Sequence, residues 1–108
     1  MWQLTLLAMT PLIVACLFLI GASVFDGITT VKMLKAGYHE NNPLFGKYPS
    51  ALRVFLEGMG LIAGEIALAF LANHFSSDFG LLFAATFLIQ GAIHIYDGRH
   101  NLSLSGVK

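Results

Sequence analysis

Four side chains of the right types for acid–base or cation chemistry recur within apolar surroundings: Asp26, Glu57, His94 and Asp97. His94-x-x-Asp97 places an imidazole and a carboxylate one helical turn apart, the device that carboxylate-bridged metal bundles use on their inward faces. With Asp26 and Glu57 added, the donors are three carboxylates and one imidazole, a set that suits a divalent metal ion such as Zn, Mn or Fe. The same groups could hold protons instead, because histidine titrates near neutral pH. Thr29, Arg53 and Gln90 lie at helical spacings from these four, and Glu40 and Asn42 stand in the loop between them.

These residues are positioned by a chain that is built for lipid. Of 108 residues, 56% are hydrophobic and 11% charged. A soluble domain carries about a quarter of its residues as charges, so the outer surface here is expected to face a bilayer. Six basic and six acidic residues cancel, which leaves no bulk charge for nucleic acid. Cys16 is the single cysteine and lies in an apolar run, so neither a disulfide framework nor a thiolate cluster forms within one chain.

Three apolar stretches are long enough to cross, given the roughly 20 residues that a membrane helix needs. Residues 1–25 contain no charge and lack the basic leader of a cleaved signal peptide. Thr10-Pro11 reads as a helix start and Gly37 as a stop. The spacing predicts an all-α membrane protein, one domain over 1–108, with helices at about 4–36, 50–73 and 78–99 and a polar tail at 101–108. Lys32, Lys35, Lys47 and Arg53 cluster around the first loop, and Arg99 and Lys108 follow the third helix. The amino terminus and the 73–78 connection carry no Lys or Arg, which predicts an external amino terminus and a cytoplasmic carboxyl terminus in a prokaryotic inner membrane.

Each span carries one polar stripe: Asp26, Thr29 and Thr30; Arg53, Glu57, Gly60 and Gly64; Gln90, His94 and Asp97. Polar groups facing lipid are costly, so the stripes are expected to converge, with Ala22, Gly60 and Gly64 allowing close approach. Glu65 falls to one side and toward the outer half, in a separate contact.

The run Asp26-x-x-Thr29-Thr30, then Gly37-x-x-Glu40-x-Asn42-Pro43, resembles a signature of small prokaryotic multi-pass membrane proteins classed as a domain of unknown function. That resemblance spans about 18 residues of this chain. It implies a role for Asp26, Thr29, Glu40 and Asn42, and it implies no substrate or reaction.

Three functions fit the polar residues. They form a cation site for metal or protons, or they fix helix register in an accessory or assembly subunit of a larger membrane complex. The third is a metal-assisted hydrolase at the lipid–water interface, although no nucleophile motif or phosphate-binding glycine loop is present. Thin helices with polar stripes also predict a homo-oligomer or a subunit of a complex.

Overall fold

The computed structural model describes residues 2–36 and 51–105, which form three helices: α1 (Trp2–Lys35), α2 (Ala51–Phe75) and α3 (Ser77–Ser105). All three are long and apolar enough to cross a membrane, over Met9–Lys35, Phe55–Phe75 and Ser77–Leu104. Glu40 and Asn42 lie outside the described residues.

Helix α1 lies close to the expected 4–36 and runs without a break through Pro11, where Thr10-Pro11 reads as a start signal. Proline costs one backbone hydrogen bond, a loss that a membrane helix tolerates when neighbouring groups take up the freed carbonyl. Helix α3 continues past residue 99 to Ser105, so most of the expected polar tail is helical. Ser76 alone separates α2 from α3. Its hydroxyl accepts from the Asp78 N–H at 3.3 Å, and its carbonyl accepts from the Phe79 N–H at 3.1 Å. This is an N-cap in a turn too short to do anything but reverse the chain.

With α2 reversing direction at Ser76, α1 and α3 run the same way, and they are the tightest pair. Phe18 packs over Gly91 and Phe25 over Gly98. Both phenylalanines and both glycines are seven residues apart, two helical turns, so the same ring-on-glycine contact repeats along the seam. A Cβ on either glycine would collide with the ring opposite. Leu12, Ala15, Cys16 and Leu19 from α1, Ile62 and Ala69 from α2, and Ala84 and Phe87 from α3 complete the apolar core.

The glycines singled out for close packing are different ones. Gly60 and Gly64 have open space where a Cβ would stand, so that stripe of α2 faces away from the bundle. The apolar moment of a membrane helix is too weak to tell its packed face from its lipid face, and α2 is the least buried of the three.

Replacing Gly98 by Leu should therefore cost about 1–3 kcal/mol through overpacking, while Gly64→Leu costs little. Thermal unfolding of the two variants in detergent checks this, and equal loss in both would contradict the seam.

Candidate functional site: an intramembrane aspartate–histidine network

Asp26 lies in the last third of α1, on the side turned toward α3. Its Oδ2 is 2.7 Å from Nδ1 of His94. The two side chains are 19% and 31% exposed, so the contact is largely withdrawn from the surroundings. A contact of that length holds one proton between Nδ1 and Oδ2; the pair is neutral as imidazolium with carboxylate or as imidazole with carboxylic acid, and carries one negative charge when a neutral imidazole donates from Nδ1.

The remaining Asp26 oxygens are taken up locally. Thr29 Oγ1 donates to the Asp26 carbonyl at 3.0 Å, and Thr30 Oγ1 donates to the same carbonyl at 2.7 Å, with Oδ1 at 3.3 Å. Both threonines are buried, and back-bonding to the preceding turn is how such hydroxyls are satisfied away from water. Asn101 closes the network from α3. Its Nδ2 donates toward Asp26 Oδ1 at 3.2 Å and Thr30 Oγ1 at 3.1 Å, with Thr29 Oγ1 at 3.4 Å.

Asn101 belongs to the expected polar tail, yet it lies within α3, seven residues after His94 and on the same helix face. Extending the Gln90–His94–Asp97 stripe by one more turn reaches its neighbourhood. What hid it was the early helix end expected at residue 99, where charge and polarity rise.

The four-donor cluster does not assemble. Glu57 is exposed and pairs with Arg53 on its own helix, Nε to Oε1 at 2.9 Å. Asp97 is exposed on α3, one turn beyond His94. Among the described residues no group of three or more His, Cys, Asp and Glu side chains is placed to hold a metal ion. The reason is angular. A stripe that mixes Glu57 with Gly60 and Gly64 points outward on α2, so it cannot meet Asp26. Gln90 is half-buried one turn before His94.

Glu65, expected in a separate contact, is half-buried on α2 with Oε2 sealed from solvent.

The fold and site define a three-helix bundle with membrane-spanning dimensions and an interhelical Asp–His pair. No protein-family model, curated protein or solved structure matches the chain.

Because Asn101 ties the last two turns of α3 to α1, Asn101→Ala should lower stability by about 0.5–1.5 kcal/mol. Amide hydrogen exchange should speed up over 101–105 while the Phe87 region stays protected. Uniform exchange throughout would show that Asn101 holds nothing locally.

Proposed function

We propose that this chain is a small integral membrane protein whose Asp26–His94 pair binds a proton between α1 and α3, close to the cytoplasmic face. The observation that carries the reading is the 2.7 Å contact between Nδ1 and Oδ2, supported from the far side by Asn101. Ionisable groups inside a membrane are rare and costly, and proton relays are among the few tasks that retain them. Loss of one proton from the imidazolium–carboxylate pair leaves a net negative charge in an apolar bundle, with a neutral imidazole still donating from Nδ1. Gain of one converts the carboxylate to a neutral acid and weakens the contact. Proton number and the strength of the α1–α3 contact are therefore linked.

A metal role has less support, because the pair offers one carboxylate and one imidazole where a divalent ion takes four or more ligands. The orientation, with the amino terminus outside, rests on the basic residues at Lys32, Lys35 and Arg99 and on the parallel course of α1 and α3. Membership in the small prokaryotic family is proposed on Asp26, Thr29 and Thr30, the part of the signature that joins the network; its loop half lies outside the described residues.

A second reading, an accessory subunit or homo-oligomer, is favoured by one observation. Helix α2 buries least and, among the described residues, has nothing against Gly60 and Gly64, a surface that would let a partner helix approach closely.

In nanodiscs, nitrogen-labelled histidine NMR should show Asp26→Asn weakening proton binding by His94 about tenfold or more, since an opposite charge in contact is lost. An unchanged titration would overturn the proton pair. Separately, Ser103→Cys in a Cys16→Ala background should react with an impermeant thiol reagent only after the cytoplasmic face is opened. Labelling from outside intact cells would reverse the orientation.

A further inference from the structure

Two buried oxygen atoms stand apart from the Asp26 network. Ser23 is 6% exposed and lies one turn before Asp26 on α1, and its Oγ has no hydrogen-bond partner among the described residues. The same holds for Oε2 of Glu65 on α2. Glu65 occupies the middle of the span Phe55–Phe75, where a charged carboxylate costs roughly 2.5–3.5 kcal/mol on insertion scales. A solitary structural carboxylate in that place would be expected to spend both oxygens on hydrogen bonds.

Helix direction brings Glu65 toward the described site. Side chains lean toward the amino end of their own helix. On α2 that end lies beside the Asp26 level, since the Phe55 ring packs against Gly27. Helix α3 runs the other way, so His94 leans back toward the depth of Glu65. The acidic side chains within electrostatic reach of His94 come from all three helices: Asp26 from α1, Asp97 from its own helix and, when ionised, Glu65 from α2. The exposed Arg53–Glu57 pair is satisfied within α2 and is not needed for this arrangement.

We propose that Glu65 is the deep proton-exchanging partner of His94, with the Ser23 hydroxyl as the relay that orients an intervening water molecule. This extends the Asp26–His94 reading from a single proton-binding pair to a short path reaching mid-membrane, and it rests on that reading. In the transfer step the O–H bond of the Glu65 carboxyl group breaks and its proton passes to the water. The water releases one of its own protons to the imidazole of His94, where an N–H bond forms. The products are a Glu65 carboxylate and an imidazolium facing the Asp26 carboxylate, and the reverse step restores the start. Water is unchanged, and no other reactant is needed.

The test uses the full chain in lipid nanodiscs. Infrared difference spectra across a pH step should contain the carbonyl stretch of a protonated carboxylic acid. The band should disappear in Glu65→Gln, return in Glu65→Asp and persist in Glu57→Gln. Histidine NMR should show proton binding by His94 weakened about threefold or more in Glu65→Gln. Ser23→Ala should keep the band and slow its appearance. On the unmutated chain, carbon-labelled glutamate should shift the same band, and absence of that shift overturns the proposal however the variants fold. If Asp26→Asn changes the His94 titration and Glu65→Gln does not, Glu65 is not part of the path and the Asp26–His94 pair stands. If neither changes it, both readings fall.

Discussion

A carboxylate half-buried among apolar helices needs hydrogen-bond donors, and Asp26 meets that need with His94 at 2.7 Å. Much of the fold follows from this contact. It joins α1 to α3 across 68 residues of sequence and sets which turn of one helix stands beside which turn of the other. The phenylalanine-on-glycine contacts at Phe18–Gly91 and Phe25–Gly98 enforce the same register by shape. Charge and packing thus specify one alignment, and a slip of even one residue would break both. Local and long-range preferences that agree in this way favour a single native arrangement.

Each polar group in the seam also has a separate means of support. The threonine hydroxyls bond back to the Asp26 carbonyl, so they do not compete for His94. Asn101 brings donors to the acceptor-rich side of the aspartate, which leaves the other carboxylate oxygen to the imidazole. Arg53 and Glu57 neutralise each other at the exposed start of α2, about half of each side chain remaining accessible. An exposed pair of that kind contributes little to stability. The polar residues therefore divide into an interhelical network and a local surface pair, rather than pooling into one multidentate site.

Helix α2 holds the weakest position in the bundle. It is tied to α3 by the single-residue turn at Ser76 and to the core through Ile62 and Ala69, while Leu61, Leu68, Leu71 and Phe75 point outward. In water such a surface would drive aggregation. In lipid it carries no penalty, because hydrocarbon is as apolar as leucine. The energetic question for α2 is then its few polar atoms, above all the Glu65 carboxyl group turned inward.

The sequence by itself determined the helical class, the three membrane-length segments and the presence of Asp26 and His94 as ionisable residues within two of them. Those follow from hydropathy and from the cost of burying charge, which depend on composition along one helix. Only the tertiary structure decided which stripes meet. A period of 3.6 residues ranks positions on a single helix but says nothing about how far that helix is rotated against its neighbours. Glu57 and Gly60 were grouped correctly on one face, and that face turned out to look away. Gly91, Gly98 and Asn101 acquire meaning only when Phe18, Phe25 and Asp26 stand opposite them, because a close approach or a shared hydrogen bond belongs to two helices at once.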